Sequence, residues 1–389
     1  MATNNRYGNR RAVNQRKKQK KRRRKLAAFM LELLVLAVIL LGIYVVSLVR
    51  KINYNDMTAE EAGINADLDE ESLETMNGYT NIAIFGLDNR SEGSYNTGNS
   101  DTIMIASING ETHEVKLVSV FRDSVLNVGN DEYKKANSAY AKGGATYAVA
   151  MLNTNFDLNI TEYVSVDWAA VVTVIDDLGG LDLNLTSQEV ELLNTYLQDV
   201  DNVTGKNTSY LSGSGEMHLD GTQAVCYARI RKTAGDDYLR TSRQRIVIQA
   251  LLEKAKTAGV TTLLKICQDT FDDISTSLSL KQITTLAKHV SDYNIAASTG
   301  FPFTVTSDSV SGLGSCVIPC TLSTNVSKLH EFLFDETGYQ VSATVSGLSA
   351  TIANMTGYDS ESDAIDISRY NDTLGANGTY FKDEEQSTQ

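Results

Sequence analysis

From Asn81 to Leu185 the apolar residues change period repeatedly, and this alternation restricts the fold more than any other feature of the chain. "NIAIFGL" (81–87), "DTIMIASI" (101–108) and "VKLVSVF" (115–121) are rich in β-branched residues and bounded by Gly, Asn or Asp, so each reads as a strand. "GGATYAVAMLNTNF" (143–156) opens on glycines and continues with helical spacing. "EYVSVDWAAVVTVIDDLGGLDLNL" (162–185) reads as strand, helix, Gly-Gly stop and strand. Strands alternating with helices predict an α/β fold with a central mixed β-sheet and helices on both faces, an α-β-α sandwich. Helical patterns return in "LLKICQDTFDDI" and "LKQITTLAKHVSDY", and "SKLHEFLF" closes the expected domain near residue 336.

The flanks differ from this domain in composition. Residues 1–25 hold twelve Lys and Arg and no acid, which leaves 23 basic against 48 acidic residues in the rest of the chain. Residues 26–49, "LAAFMLELLVLAVILLGIYVVSLV", are interrupted by one charge, Glu32. At ~1.5 Å per residue such a helix reaches about 36 Å and spans a hydrocarbon core of about 30 Å. It has no polar face, as a core helix would need, and is too long and lacks the cleavage site for a signal peptide. The expected order is a basic cytoplasmic tail (1–25), a single transmembrane signal-anchor helix (26–49), an acidic spacer (50–78), an extracytoplasmic domain (79–336) and a polar, loosely structured tail (337–389). The basic residues place the N-terminus in the cytoplasm of a plasma-membrane protein and meet anionic membrane lipid there.

Within this acidic exterior, "YARIRKTAGDDYLRTSRQR" (227–245) carries six basic side chains in nineteen positions. Read as a strand, "VCYARIR" sets Tyr227, Arg229 and Arg231 on one face and Cys226, Ala228 and Ile230 on the other. A helix from near Arg240 then aligns Arg240, Arg243, Gln244, Val247 and Leu251 on a core-facing stripe, with Arg245 on another face in solvent. An ion-pair network with Asp236 and Asp237 is the structural alternative. Two carboxylates do not neutralise four convergent guanidiniums, however, and Arg matches phosphate oxygens bidentately, so an exogenous phosphate or pyrophosphate is the better partner. Other strand ends add complementary groups: Asp88 and Arg90 in "FGLDNR", Asp101 in "NSD", and Arg122 and Asp123 in "FRD". Aspartates beside such an anion site suit Mg2+, which takes carboxylate and phosphate oxygens together.

"GLDNR", "SDTIMIASIN", "VKLVSVFRDS", "KANSAYAKGGATYA", "DDLGGLDLNL" and "HLDGTQAVCYARIRKTAGDDYLRTSRQR" stand in an order that resembles the LytR-CpsA-Psr family, from about Asn81 to Lys254. That resemblance implies a membrane-anchored extracytoplasmic phosphotransferase. Such an enzyme moves an anionic glycopolymer, of the teichoic acid or capsular polysaccharide type, from undecaprenyl pyrophosphate to peptidoglycan. It further implies that Asp88 and Asp101 hold Mg2+, and that Arg90, Arg122, Arg229, Arg231, Arg240, Arg243 and Gln244 hold the pyrophosphate. Asp123 and Asp237 orient these or accept a proton, and Arg122 and Arg240 act on the transferring group. The chain departs from the family in having Asn99 where Arg is usual and Phe121 where Pro is usual.

A polyprenyl-pyrophosphate-glycan hydrolase would use the same site with water as acceptor, and a non-catalytic wall-binding protein would use it for binding alone. A nucleic-acid partner is opposed by the topology, since the arginines lie outside the membrane. His113, His218, His289 and His330 sit in no nucleophile motif, and neither G-x-S-x-G nor a Walker A sequence occurs. Cys316 and Cys320 in "CVIPC" form a disulfide only if the segment folds back, because an extended i, i+4 spacing is too long. Neither has the neighbours that zinc requires.

Overall fold

The computed structural model describes residues 53–87, 98–231 and 236–367. Its centre is a seven-stranded mixed sheet. In chain order the strands are β1 (Asn53–Tyr54), β2 (Tyr79–Leu87), β3 (Ser100–Asn109), β4 (Glu114–Val120), the small hairpin β5 (Val125–Asn127) and β6 (Tyr133–Lys135), then β7 (Glu162–Asp167). The hairpin β8 (Leu181–Leu185) and β9 (Gly215–Leu219) follows, then β10 (Ile274–Thr276), β11 (Asn294–Phe301), and the hairpin β12 (Val305–Val310) and β13 (Gly314–Pro319). The sheet order is β1-β10-β7-β2-β3-β4-β11, with β2 to β7 and β4 to β11 parallel and β2 to β3 to β4 antiparallel.

The helices are α1 (Glu70–Asn77), α2 (Ser138–Phe156), α3 (Trp168–Asp177), α4 (Ser187–Thr204), α5 (Gly221–Arg229), α6 (Asp236–Thr257), α7 (Val260–Thr270), α8 (Leu280–Lys288), α9 (Leu322–Phe334) and α10 (Ala343–Thr356). Period-two alternation explains how they cover both faces. Ile103, Ile105, Val118 and Val120 pack with α2, α9 and α10 on one side, while Ala106, Val115 and Leu117 meet Ile248 and Leu252 of α6 and Leu286 of α8 on the other. The expected α-β-α sandwich is therefore present. Helix α6 is covered twice, because its Ile246 and Val247 enter a second core with α3, α4, α5, β8 and β9.

Several expectations are corrected. The helical run to Phe156 does open on the glycines, since Gly143 and Gly144 both leave helical geometry, Gly144 with φ 69°; the addition is a short helical segment from Ser138 that precedes this kink within α2. β8 pairs with β9 and stays out of the main sheet. The acidic segment 50–78 is more than a spacer, since Met57, Ala62 and Met76 enter the main core. The fold also continues past residue 336: Ser342 caps α10, whose Val345, Leu348 and Ile352 pack into that core. Burial of three apolar side chains on one helical face outweighs the polar composition that suggested a loose tail. Cys316 and Cys320 lie in and just after an extended strand and both thiols are free, as their spacing requires. Among the described residues no helix is long and apolar enough to cross a membrane, and residues 26–49 lie outside them.

Candidate functional site

The end of β4, the start of β3, the segment after α5 and the first turns of α6 bring charged groups together. Arg122 and Asp123 follow β4 in a turn closed by the Ser124 N–H donating to the Phe121 carbonyl at 2.9 Å. The Asn137 N–H fixes the Arg122 carbonyl at 3.0 Å. Asp101 is the second residue of the antiparallel neighbour β3, whose register sets Met104 opposite Ser119 and so leads back towards Arg122. Phe121 is buried edge-on against Tyr238, ring centres 4.7 Å apart, which fixes the β4 turn against α6.

Arg122 donates to Asp101 at 2.6 Å and its Nε lies 3.6 Å from Asp123 and 3.5 Å from Asp237. Asp237 also lies 3.3 Å from Arg240 and 3.8 Å from Arg231. Arg231 reaches Asp101 at 3.9 Å, Arg240 donates to the Asp101 carbonyl at 3.4 Å, and Lys135 reaches Asp123 at 3.2 Å. Three guanidiniums and an ammonium thus surround three carboxylates. The ion-pair network and the excess positive charge expected from the sequence coexist.

Burial sets how this charge is held. The Arg240 side chain is only 4% exposed. Burial, helped by the like charges of Arg122 and Arg231 and opposed by Asp237 and Asp101, lowers its pKa to about 10. For Arg122 burial acts in the same direction, but Asp101, Asp237 and Asp123 outweigh it and raise its pKa. Among the described residues the buried Nε of Arg122, Nε of Arg240, Oδ2 of Asp237 and Oε1 of Gln244 make no hydrogen bond. Each such group costs about 1–3 kcal/mol. Arg122 Nε and Asp237 Oδ2 at least face each other; Arg240 Nε has the fields of Asp237 and Asp101 but no hydrogen bond, and an oxyanion would satisfy it.

The profile of the LytR_cpsA_psr family matches residues 46–320. The chain belongs to the LytR-CpsA-Psr family. Among curated relatives, the polyisoprenyl-teichoic acid–peptidoglycan teichoic acid transferase TagU of Enterococcus faecalis is 29% identical over 209 residues, covering 53% of this chain and 64% of that one. The corresponding transferase TagV of Bacillus subtilis is 27% identical over 190 residues, covering 48% and 46%. The chain therefore spans less than two thirds of these relatives. Solved structures with a similar fold include TagT bound to LIIa-WTA, with TM-score 0.53, 20% identity and coverage of 72% of this chain and 96% of that one. Another is the LytR-CPS2A-psr family protein YwtF (TagT) with bound octaprenyl pyrophosphate lipid, with TM-score 0.51, 18% identity and coverage of 72% and 99%.

Of the site residues that LytR-CpsA-Psr resemblance implies, Asp101, Arg122, Asp123, Arg231, Asp237 and Arg240 converge; Asp88 and Arg90 lie outside the described residues. Arg229 and Arg243 of that set, and Arg245 outside it, are placed differently from the sequence reading. "VCYARIR" is not a strand, because Asp220 and Gln223 form a capping box that starts α5, so Arg229 and Arg231 share no strand face. Arg229 lies 3.5 Å over the Trp168 ring and 5.5 Å from Tyr196. Arg243 pairs with buried Glu189 at 2.9 Å and donates to the Ile230 carbonyl at 3.3 Å, so its charge already has a protein partner. Arg245 is fully buried and not solvated, and that burial lowers its pKa to about 9. The expected α6 stripe is only partly present: Arg240, Arg243 and Val247 are buried, but Thr241, Ser242, Arg245 and Ile246 are buried as well, and Gln244 and Leu251 are half-buried.

Lys135, Glu189 and Trp168 were missed. Lys135 opens the block "KANSAYA", so its charge was visible; the pairings of Glu189 and Trp168 depend on long-range packing that no local pattern encodes. Asp101 Oδ2 lies 3.9 Å from Arg231, and the Asp101 side chain is 27% exposed. An oxygen donor of this kind beside an anion site fits Mg2+ in donor type.

Proposed function

We propose that this protein is a phosphotransferase that takes a polyprenyl-pyrophosphate-linked anionic glycopolymer, teichoic acid or capsular polysaccharide in type, and attaches it to peptidoglycan. The observation that carries this reading is the convergence of Arg122, Arg231 and Arg240 around buried donors that an oxyanion would satisfy. The relatives' names and the lipid held by TagT supply the substrate class.

A hydroxyl of the wall glycan attacks the phosphorus that bears the glycopolymer. The bond to the bridging oxygen breaks, and polyprenyl phosphate leaves with its electron pair. Arg122 and Arg240 offset charge on the transferring oxygens and Arg231 that on the leaving group. Asp237, between three guanidiniums, orients them, and Asp123, 23% exposed, accepts the hydroxyl proton. Mg2+ bound by Asp101 and Asp88 would add positive charge beside the pyrophosphate.

The same reading makes residues 26–49 a membrane anchor that holds the site outside the cytoplasm, supported by the basic run before it. A reporter fused after Gln389 should be inactive if it works only in the cytoplasm; cytoplasmic activity would overturn the topology. For the chemistry, the full-length protein in detergent is incubated with a polyprenyl-pyrophosphate glycan, with and without peptidoglycan. Phosphodiester-linked glycan on the wall and release of polyprenyl phosphate only when acceptor is present are expected. Equal release without acceptor would mean hydrolysis and would overturn transfer.

A further inference from the structure

At the opposite end of β4 from the arginine site, about 23 Å away for a seven-residue strand, two imidazoles and a carboxylate meet. His113 is the last residue of the β3–β4 turn, and its N–H donates to the Asn109 carbonyl at 3.1 Å. His289 ends α8, and Asp292 lies in the following turn, where its N–H donates to the His289 carbonyl at 2.8 Å. Parallel pairing of β4 with β11 joins the two turns, with Asn294 opposite Glu114.

The side chains are organised as well as close. The His113 and His289 rings stack at 4.7 Å with 18° between planes, and His113 also meets Tyr293 edge-on at 5.9 Å. Tyr293 is buried beneath them with Val115 and Ile295. His289 Nδ1 lies 3.0 Å from Asp292 Oδ2. One ligand atom from each of the three residues falls within 4.8 Å of the others. Tetrahedral zinc with bonds of about 2.0–2.2 Å holds its ligands about 3.4 Å apart, so modest rotation of the half-buried imidazoles and the exposed Asp292 closes the set. His113 takes φ 60°, a backbone state uncommon for residues other than glycine, and this aims the ring across the gap.

We propose that His113, His289 and Asp292 bind a divalent transition-metal ion of the zinc type, and that the ion ties the β3–β4 turn to the α8–β11 turn. Two imidazole nitrogens and one carboxylate select zinc, cobalt or nickel over magnesium, which prefers oxygen donors alone. The exposed side leaves a fourth position to water, as three protein ligands usually do. None of the three residues belongs to the arginine site, so this inference stands whatever that site does.

The test uses full-length protein without a histidine tag, in detergent, dialysed against ZnCl2 and separately against CoCl2. Wild type should bind one Zn2+ that millimolar MgCl2 does not displace, and Co2+ should give visible absorption bands of a low-symmetry nitrogen-ligated site. His113→Asn with His289→Gln should lose at least about 100-fold in Zn2+ affinity, more than loss of an outer-sphere partner costs. Asn tolerates the left-handed backbone at position 113. Asp292→Asn, a milder change, serves should the double variant misfold, and should weaken Zn2+ binding at least about 10-fold. Stoichiometric Zn2+ binding that persists in the folded variants, displacement by Mg2+, or no binding by wild type would overturn the proposal.

Discussion

Arg240 and Arg243 are three positions apart on one helix and equally buried, yet their surroundings assign them different roles. Arg243 has a dedicated carboxylate in Glu189, which also closes the capping box of α4 with Thr186. Removing one partner of such a pair leaves a buried charge alone. Arg243→Met should therefore lose about 3–5 kcal/mol in urea unfolding, and joint replacement with Glu189→Met should recover much of it; no recovery would mean that packing, not charge, sets the loss. Cys226 offers a pH test. Burial, only weakly opposed by Arg229, raises its thiol to about 12, whereas the unfolded thiol titrates near 9. Between these values the native state binds the extra proton, so its stability falls as pH rises. Comparing melting temperatures of wild type and Cys226→Ala from pH 8 to 11 isolates this contribution from the opposing trend of Arg240 and Arg245. The gap in favour of wild type should narrow steadily above pH 9, and a constant gap would contradict the assignment.

At the scale of elements, helix α5 shows what local sequence did and did not reveal. In "VCYARIR" only "ARIR" alternates apolar and polar residues, too few positions to separate period two from the end of a helix, and the strand reading followed. The deciding signal stood just upstream, in Asp220 followed three residues later by Gln223, whose side chains cap both free N–H groups. Asp220→Ala should cost about 0.5–2 kcal/mol in chemical unfolding. Gly221→Ala should cost more, because a Cβ there would lie 2.2 Å from the Val172 carbonyl and force α5 off α3; equal or greater stability would show that the contact relaxes freely. Helix α10 was obscured in another way, by Ser, Thr, Asn and Gly around a short apolar stripe. Its N-cap Ser342 and its terminal Gly357, with φ 81°, were legible signals that composition outweighed. Ile352→Ala should lose about 2–5 kcal/mol, as for other fully buried aliphatics, whereas a loose tail would lose nothing.

Across the whole molecule, the sheet separates two chemistries: the arginine and aspartate cluster at the C-terminal end of β4 and the histidine pair at its N-terminal end. The strand alternation and the arginine-rich block were readable because each is a local pattern. The convergence of Asp101, Arg122, Asp123, Arg231 and Asp237 was only partly readable, since it follows from the β3–β4 register and from α6 crossing the sheet. An excess of positive charge was readable, but not that Asp101 and Asp123 share in its balance, and that balance explains why Arg240 is tolerated. Asp237 keeps Arg122 and Arg231 when Arg240 is removed, so no carboxylate is stranded and like-charge repulsion falls. The most direct test is the melting temperature of full-length wild type and Arg240→Ala, each with and without a polyprenyl pyrophosphate. An anion site predicts a ligand-free melt in Arg240→Ala equal to or slightly above wild type, with the ligand-induced rise largely lost, corresponding to about 1.5–3 kcal/mol of binding. A large drop in the ligand-free melt with the ligand-induced rise intact would show that these arginines hold the fold together and that the pyrophosphate binds elsewhere.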